Sequence, residues 1–593
     1  MSLSGEQKNF IKKNVWQSPP AEIAVSLSLP EREIHDYLKK RWRPEKYARY
    51  LARFTENTKV KNFSLKQFVF DNRIILLFLF LAVIVCYANS LGNAFVSYDI
   101  PIIDKNSNIS NFSYIFSPTP LGSFERALYF LAYKIGGANP ILFRFPNLIF
   151  HFGCVFLVFL ILSLISRRHL AIFAAFLFAV HPLLSESVTW ISGGSYIKYS
   201  FFFLLSFAAY LLADQNRRYY YVSLGAFALS LSISEKAVVL SPLFVFFELA
   251  YGNLKHKWKK VWPYLGLSTV FGLIYLSRAG ERINQLQTIH YLQPGHDSIF
   301  VKIPTSIASY LWLIVWPQKL TLYHTEMTYT RTEYAFTVLV FLLYVTAIIF
   351  FYYKKNRAIS FWLVFFVVPL APSLTPLRVA WAVAERYAYV GTLGILVVIA
   401  WIFYKVASYE KLRNYVYVFF AILIVALSVR TIVRNRDWKS EETLWFATVK
   451  ISPSGPNIHN NLGAIYQQKG NLQKAIEEFG LAIAINPGYA DAYHNLANTY
   501  QQAGMTGEAA DSYKKAIEIN PRLWQSHQNL AAIYYNQGWY NLSLEELKKA
   551  MELNPNDPNL KQNTELLESS LANTGPQNVI YGSGSGNYLN LPP

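Results

Sequence analysis

Residues 486–519, NPGYADAYHNLANTYQQAGMTGEAADSYKKAIEI, are followed at 520–553 by a second stretch of the same length and pattern, NPRLWQSHQNLAAIYYNQGWYNLSLEELKKAMEL. Four further sets of residues recur at the same interval of 34: Pro453, Pro487, Pro521 and Pro555; Ala482, Ala516 and Ala550; Tyr466, Tyr500 and Tyr534; and Leu462, Leu496 and Leu530. This period predicts helical hairpins that stack into a solenoid, because one hairpin cannot bury its apolar face alone.

The period and the Pro, Ala, Tyr and Leu positions are those of tetratricopeptide repeats, with three full repeats in phase. We place the repeat domain at residues 437–571. The segment EETLWFATVKISP before the first repeat is predicted to be the second helix of a half repeat, and residues 558–571 are predicted to form a capping helix. Residues 572–593 lack apolar periodicity and are predicted to be a flexible tail.

Residues 71–436 have the character of a membrane domain. The chain is 53% hydrophobic, and its long apolar runs begin at Ile74, Phe143, Ala171, Phe201, Val222, Val239, Val261, Phe336, Phe361, Leu393 and Val416. Runs of this length predict about eleven spans of a hydrocarbon core of roughly 30 Å. The segment 303–316 is short and precedes Pro317, so we expect it to be re-entrant or interfacial. The predicted fold class is therefore all-α: a polytopic helix bundle followed by a solenoid.

Basic residues predict the orientation of the chain in the membrane. The net charge is +19, while the chain from residue 451 has 8 Lys/Arg and 12 Asp/Glu, so residues 1–450 carry +23. The basic clusters alternate between helix ends, as the positive-inside rule expects of cytoplasmic loops: Arg167-Arg168, Arg217-Arg218, Lys255 to Lys260, Lys354 to Arg357 and Lys405 to Arg413. The amino terminus is then cytoplasmic, and the repeats lie on the extracytoplasmic side. Arg430, Arg434 and Arg436 are exceptions on the outer side.

Residues 1–70 form a separate basic segment. The stretch AEIAVSLSLPEREIHDYLKKR has helix-turn-helix spacing, with Ala24, Leu29, Ile34 and Tyr37 at buried positions and Ser28 at the usual turn glycine. Because this pattern is degenerate, a small helical bundle beside the headgroups is the simpler interpretation, and nucleic acid is not an expected partner. Cys86 and Cys154 both lie in apolar runs, so the sequence implies no disulfide framework or zinc site.

Ionisable residues at the ends of spans are candidates for function, since charge is costly inside a bilayer. Asp99 follows the first span among apolar neighbours, where a raised pKa suits a general base, although it can equally cap a short helix. Three basic residues can neutralise a lipid phosphate: Lys198, Lys236 and Arg386. Alternatively, they can form ion pairs that hold helices together, with Glu186, Glu235 and Glu385. His181 lies close to Glu186 in HPLLSESVTWISG and is a further candidate for binding substrate.

The segments FVSYDIPIIDKN, HPLLSESVTWISG, VWPQKLTLY, AERYAYVGTLG and RNRDWKSEETLW, followed by the repeats, resemble the transmembrane-and-tetratricopeptide protein O-mannosyltransferases and their prokaryotic relatives. The resemblance covers about residues 74–560. It implies an inverting glycosyltransferase of GT-C type that takes a sugar, mannose in that family, from a polyprenyl-phosphate donor to Ser or Thr of a protein. It also implies that Asp99 is the general base, that Glu186 is an acid of the site, and that Glu385 and Arg386 match the AER element.

Several departures from the family pattern fall at these positions. Tyr98 stands where the family has a first acid, the Tyr-Arg-Pro element before the second span is absent, and Gly194 occupies a usual arginine position. The order Ser234-Glu235-Lys236 also replaces Ser-Lys-Glu. A non-catalytic, membrane-anchored tetratricopeptide scaffold for envelope proteins is therefore the alternative. No cofactor is implied, and a divalent cation on Asp99 and Glu186 has weak support because two acids without a spacing motif are poor evidence.

The concave face of the solenoid is predicted to be rich in amides. Asn461, Asn495 and Asn529 recur at 34 residues and can form a ladder that pairs with the backbone of an extended polypeptide acceptor. Local packing within the repeats accounts for these residues equally well. The expected partners are thus a lipid-linked sugar donor, a polypeptide and membrane lipids.

Overall fold

The computed structural model describes residues 3–15, 20–43, 47, 50, 63–118, 120–278, 298–326, 329–354, 356–375 and 381–574. Every regular element in these ranges is helical, so the predicted all-α class is confirmed. The predicted tail at 572–593 falls outside the described residues from position 575 onward.

A small helical bundle forms the amino-terminal part. It contains α1 (Gly5–Asn14), α2 (Pro20–Ser26) and α3 (Glu31–Arg41). Ile11, Ile23, Ile34 and Leu38 bury their side chains in one apolar cluster. Ser28 has φ 54° in the turn between α2 and α3, a left-handed conformation in which glycine is the usual residue. This turn joins two short helices that pack against each other, and the helix-turn-helix character of the segment stays a prediction.

Fifteen helices follow between residues 65 and 437. They are α4 (Leu65–Asp71), α5 (Arg73–Tyr87), α6 (Ser123–Gly136), α7 (Pro140–Ile165), α8 (Arg168–Val180), α9 (Ser185–Thr189), α10 (Ser195–Leu212), α11 (Arg217–Ile233), α12 (Pro242–Ala250), α13 (Leu254–Leu276), α14 (Ile299–Val315), α15 (Arg331–Tyr353), α16 (Arg357–Val367), α17 (Thr392–Ala407) and α18 (Arg413–Asp437). This count refers to the described residues, and short 3₁₀ or π-helical turns link several of them.

The predicted count of about eleven spans is not confirmed. Among the described residues, five helical stretches are long and apolar enough to cross a membrane: Arg73–Ser90, Pro140–Ile165, Ser192–Leu212, Arg331–Tyr353 and Glu410–Asp437. A sixth exists if α8 and the segment Pro182–Thr189, which meet at 49°, form one span. Three shorter apolar stretches include α14, which contains the segment 303–316 and ends before Pro317. An apolar run in the sequence can include a turn, whereas a span needs a continuous helix.

Burial divides these helices into central and peripheral ones. Most residues of α7 and α10 are buried inside the protein, while few residues of α15 and α18 are buried. Long helices with contiguous apolar side chains that protein does not cover are unfavourable in water, so this distribution fits an integral membrane protein. Leu148, Phe178, Phe203 and Phe244 belong to the main apolar core between the helices.

The three arginines that break the charge rule lie at the end of α18, and two of them bind protein groups. Arg430 donates from Nε to the carbonyl of Pro317 at 3.0 Å and from Nη2 to that of Gln318 at 2.9 Å. Arg434 is buried and binds Asp437 at 2.9 Å. Arg430 thus joins the end of α18 to the loop after α14, whereas Arg434 pairs with Asp437 within α18. Neither contact depends on the orientation of the chain in the membrane.

Eight helices form the repeat region. They are α19 (Glu441–Val449), α20 (Pro456–Gln468), α21 (Leu472–Ile485), α22 (Ala490–Gln502), α23 (Thr506–Ile519), α24 (Trp524–Asn536), α25 (Tyr540–Leu553) and α26 (Pro558–Thr574). Each of the three hairpins turns at a glycine with positive φ, at Gly470, Gly504 and Gly538 (73°, 76° and 79°). Ala482, Ala516 and Ala550 are fully buried, as the 34-residue pattern predicts. α26 packs on the last hairpin through Leu560 and Leu567.

Candidate functional site

Asp99 lies in the loop after α5, directly before the π-helical turn Ile100–Asp104, and is fully buried. Its Oδ1 accepts hydrogen bonds from the backbone N–H of Ser192 at 2.9 Å and from the Ser192 hydroxyl at 2.5 Å. Within the described chain, its Oδ2 accepts one long hydrogen bond, 3.5 Å from Val96 N. One oxygen is therefore held in place, and the other keeps lone pairs for a further donor.

Burial raises the pKa of Asp99 to about 6, because a carboxylate loses hydration away from water. The Ser192 hydrogen bonds, the positive charge of Arg144 and the Val96 hydrogen bond oppose this rise. The loop lies outside the candidate spans. At neutral pH the carboxylate is thus ionised, yet it is more basic than an exposed aspartate, which is the property a general base requires.

Arg144, on α7, holds the Asp99 loop against the helices. Its guanidinium donates to four carbonyls: those of Leu91 at 2.9 Å, Asn93 at 2.7 Å, Ala94 at 3.1 Å and Thr189 at 2.7 Å. This residue is fully buried and was missed by the sequence analysis. A lone arginine inside the apolar run PILFRFPNLIF is the signal that could have identified it, since such charges are rare without a partner.

Glu186 and Arg386 form a buried ion pair. Arg386 donates from its backbone N–H to Glu186 Oε2 at 2.9 Å and from Nη1 to Oε1 at 2.5 Å. Glu186 lies on α9, after the break at His181 and Pro182 that bends this segment away from α8. Both carboxylate oxygens are therefore engaged by one residue that is 200 positions away in the chain.

Glu385 forms a second pair beside the first. Its Oε1 accepts from the backbone of Thr321 at 2.5 Å and lies 3.3 Å from Nη2 of Arg434. Both Glu385 and Arg434 are fully buried. The adjacent residues 385 and 386 thus tie the AER segment to α18 on one side and to α9 on the other.

Trp190 connects the two parts of the site. Its indole Nε1 donates to the carbonyl of Val96 at 3.3 Å, and the Arg386 guanidinium lies 5.6 Å from its ring centroid. Two residues further along, Ser192 binds Asp99. Asp99 and Arg386 therefore both contact the short segment 186–192, which includes Glu186. Tyr98, in the position of the missing first acid, is half exposed and lies 6.3 Å from the Trp190 ring.

Lys198 is buried on α10 and does not reach Glu186. It donates to Glu125 Oε1 at 2.7 Å and to Asn147 Oδ1 at 2.9 Å. Gly194, in the position of a family arginine, lies directly against Asn147: a Cβ added there would be 2.1 Å from Asn147 Oδ1. Asn147 and Lys198 thus occupy the volume next to Gly194, which explains locally why a side chain is absent from this position.

Lys236 lies in a more open strip of aromatic residues. Its Nζ is 2.9 Å from Glu235 Oε1 and 5.1 Å from the ring centroid of Tyr196. The Tyr196 and Tyr387 rings are 5.9 Å apart, and Arg386 lies 5.1 Å from the Tyr387 ring. We call these four residues, Lys236, Tyr196, Tyr387 and Arg386, the cation-aromatic strip.

His181, predicted to bind substrate, makes two hydrogen bonds inside the protein. Its Nε2 lies 2.9 Å from the carbonyl of Ile314, and its Nδ1 accepts from the backbone of Leu183 at 3.2 Å. Both nitrogens of the neutral ring are therefore engaged in holding the break after α8 against α14.

The asparagines of the repeats pair between neighbouring hairpins. Asn495 donates to Asn460 Oδ1 at 2.9 Å, and Asn529 donates to Asn498 Oδ1 at 2.9 Å. All three predicted ladder residues, Asn461 included, are partly accessible. The side-chain amide nitrogens of Asn495 and Asn529 thus support the stacking, and contact with a peptide stays a prediction. No group of three His, Cys, Asp or Glu residues in the described ranges is arranged to hold a metal ion.

Comparison with known proteins agrees with the two-part architecture. Two family models described as tetratricopeptide repeat match residues 456–522 and 524–557. Protein O-mannosyl-transferase TMTC3 of Mus musculus is 24% identical over 453 residues, which is 66% of this chain and 49% of the relative. Protein O-mannosyl-transferase TMTC4 of Homo sapiens is 24% identical over 484 residues, 67% of this chain and 64% of the relative. These matches confirm the predicted resemblance, and the chain spans about half to two thirds of the length of these relatives.

Solved structures match less closely. The archaeal oligosaccharyltransferase AglB from Archaeoglobus fulgidus, in complex with an inhibitory peptide and a dolichol-phosphate, aligns with 64% of this chain and 56% of its own, at 15% identity and a TM-score of 0.37. The MamA protein aligns with 26% of this chain and 90% of its own, at 24% identity and a TM-score of 0.19. Such TM-scores do not establish a shared fold for the whole chain.

Proposed function

We propose that this protein is an inverting membrane glycosyltransferase of GT-C type that transfers a sugar from a polyprenyl-phosphate donor to Ser or Thr of a polypeptide. Mannose is the first candidate, because the named relatives are O-mannosyl-transferases. In this reaction Asp99 takes the proton of the acceptor hydroxyl. The hydroxyl oxygen then bonds to the anomeric carbon while the bond to the phosphate oxygen breaks, and polyprenyl phosphate leaves with the electron pair.

The observation that carries this proposal is the convergence of a basic carboxylate and a cation on one segment. Asp99 is held by Ser192, and Arg386 is held by Glu186 and Trp190, within seven consecutive positions of the chain. The raised pKa of Asp99, about 6, supports proton abstraction at neutral pH. A carboxylate that only joined two segments of the chain would not need a second oxygen with lone pairs left for a further donor.

The cation-aromatic strip is the proposed site of the donor phosphate. Lys236 lies against the Tyr196 ring and Arg386 against the neighbouring Tyr387 ring, so a phosphate bound to these two side chains would meet two positive charges. Lys236 exposes about a quarter of its side chain, so it is the more accessible of the two cations. Opposite charge of this kind stabilises the leaving phosphate as the sugar bond breaks. Lys198, buried against Glu125, is then a supporting residue of the same region.

The repeats are the proposed holder of the polypeptide acceptor, on the extracytoplasmic side of the membrane. The end of α18 and the Asp99 loop are in contact, since Asn93 Nδ2 donates to the carbonyl of Asn435 at 3.0 Å. This contact supports our proposal that the repeat array, which follows α18, lies on the same face of the helix bundle as Asp99. An amide-rich groove fits a flexible acceptor because amides pair with any peptide backbone.

The test is sugar transfer by the full chain in proteoliposomes that contain synthetic polyprenyl-phosphate mannose and a Ser/Thr-rich peptide. Asp99→Asn should abolish transfer while the protein stays folded, because the amide cannot take a proton. Asp104→Asn is the matched control, since Asp104 is an exposed acid in the same loop. Unchanged transfer by Asp99→Asn would exclude Asp99 as the base.

One observation favours the alternative, a membrane-anchored scaffold for envelope proteins. Asp99 and Glu186 are both fully buried, and Glu186 has both oxygens bound to Arg386, as in an ion pair that only joins helices. A scaffold would bind envelope proteins through its repeats without glycosylating them. If deletion of the protein leaves every envelope glycoprotein unchanged while its partners lose their membrane association, the scaffold function is the correct one.

A further inference from the structure

The backbone of residues 93–99 is held from two sides. From the helix bundle, Arg144 donates to the carbonyls of Asn93 and Ala94. From the junction between α18 and α19, the carbonyl of Lys439 accepts the N–H of Ala94 at 3.0 Å, and that of Asn435 accepts from Asn93 Nδ2. The loop that carries Asp99 is thus part of the interface between the membrane helices and the repeat region.

One contact of this interface comes from the repeat region itself. The N–H of Ser97 donates to a carboxylate oxygen of Glu441, the first residue of α19. Glu441 also accepts from the indole of Trp445 at 3.4 Å through its other oxygen. Ser97 has φ 55°, a left-handed conformation that costs a non-glycine residue energy and needs support from its surroundings. Glu441 supplies that support through a charged acceptor.

A shared apolar cluster surrounds this contact. Val96, immediately before Ser97, is fully buried together with Trp190 of the site, Trp438 and Leu444 of the junction, and Leu462 of the first repeat. The Trp190 and Trp438 rings stack with centroids 5.7 Å apart. The loop, the site and the first repeat hairpin thus bury one common cluster and pack as one unit.

We propose that Glu441 is a positioning residue that sets the conformation of the Asp99 loop from the repeat side. The inference rests on the proposed role of Asp99 as general base. It adds that the repeat array is a part of the catalytic geometry as well as a holder of the acceptor. Glu441 does not touch the reacting atoms and acts through Ser97.

The connection from Ser97 to Asp99 is short. The N–H of Asp99 donates to the carbonyl of Val96 at 3.1 Å, and the N–H of Ile100 donates to that of Ser97 at 3.2 Å. A change of backbone conformation at Ser97 must therefore rotate this turn and displace the Asp99 carboxylate. A displacement of about 1 Å at a reacting group can lower a rate by about a hundredfold.

Hydrogen–deuterium exchange of the full chain in lipid nanodiscs tests the contact without requiring activity. Glu441→Ala should raise exchange at residues 93–99 by at least about tenfold, because a hydrogen bond to a charged acceptor is lost. Glu441→Gln should raise it less, since the amide oxygen still accepts from Ser97. Glu442→Ala is the control: Glu442 is the adjacent acid on α19 and forms a half-exposed pair with Lys469. Unchanged exchange in Glu441→Ala, or an equal rise in the control or throughout α20, would overturn the proposal.

The transfer assay with synthetic polyprenyl-phosphate mannose tests the consequence for catalysis. Glu441→Ala should lower kcat by tenfold or more with little change in the donor KM, and Glu441→Gln should recover most of the loss. If Asp99→Asn abolishes transfer while Glu441→Ala keeps a normal kcat, the loop contact has no positioning role. If Asp99→Asn transfers normally, Asp99 is not the base, and if the wild-type protein transfers no sugar, the proposed function fails. In both cases the exchange result still reports on the contact between Glu441 and Ser97.

Discussion

Ser192 donates both its backbone N–H and its hydroxyl to the same oxygen of Asp99, at 2.9 and 2.5 Å. This pair joins the first loop to the segment after α9, which are 93 positions apart in the chain. Hydrogen bonds to an ionised carboxylate lower its pKa, so they partly offset the rise that burial causes. Ser192 therefore makes the largest contribution among the residues that lower the pKa of Asp99.

Replacing Ser192 by Ala should move the acid limb of the pH–rate profile to higher pH. The hydroxyl hydrogen bond favours the ionised form of Asp99, so its loss raises a pKa that is already about 6. A shift of roughly one unit is expected from one hydrogen bond to a charged group. Ser195→Ala, three residues later at the start of α10, is the control and should leave the profile unchanged. A Ser192→Ala profile that coincides with wild type would show that another group limits the rate.

Replacing Glu186 by Gln should destabilise the protein strongly. It leaves the guanidinium of Arg386 buried without its charge partner, a change that typically costs about 3 kcal/mol. The double variant Glu186→Gln with Arg386→Met should recover much of this loss, because no unpaired charge remains. Thermal unfolding in detergent measures the stability of the single and the double variant. Glu442→Gln breaks a half-exposed pair with Lys469 and should change stability by less than about 0.5 kcal/mol.

Replacing Gly194 by Ala should disturb the site, whereas the same change at Gly480 should not. A Cβ at position 194 would meet Asn147 Oδ1 at 2.1 Å, so Asn147 must move and Lys198 loses an acceptor. We expect a loss of about 1–3 kcal/mol. A Cβ at position 480 meets no atom within 4 Å in the interior of α21, and Ala there should add about 0.5–1 kcal/mol. Equal effects at both positions would contradict the close packing around Gly194.

The first repeat should lose stability as the pH rises above about 6.5. His459 contacts two acceptors, Glu478 at 2.7 Å and the carbonyl of Pro453 at 2.8 Å, which only the protonated ring can satisfy together. Burial lowers the pKa of His459, but these contacts outweigh burial and the pKa is raised. The stabilisation is thus complete below the pKa that His459 has in the unfolded chain. It is lost as the pH rises through the higher pKa of His459 in the folded protein.

Hydrogen exchange in α20 and α21 between pH 6 and 8, corrected for its intrinsic pH dependence, measures this effect. The substitution His459→Asn should remove the pH dependence. His494 is the comparison, because burial lowers its pKa to about 4 and the ring stays neutral throughout this range. His494→Asn should leave the pH dependence as it is in the wild type, and a flat wild-type profile would contradict the role of His459.

The repeat register was predictable from the sequence down to single residues. Ala482, Ala516 and Ala550 are buried where the period of 34 places them, because each repeat packs mainly on its neighbours in the chain. The number of spans was less predictable, since an apolar run does not show where its helix breaks. Asp99 and Glu186 could be selected as ionisable residues, but Arg144 was missed and Lys198 pairs with Glu125, an acid that was not considered.

By itself the sequence determined the class of the protein, a membrane helix bundle with a tetratricopeptide array, because hydropathy and period are local properties of the chain. The tertiary structure alone decided the pairings Asp99 with Ser192, Glu186 with Arg386, and Ser97 with Glu441. These partners are separated by 93, 200 and 344 positions. The partner of each polar side chain depends on how helices that are distant in the chain pack together. One sequence carries no local signal for that packing.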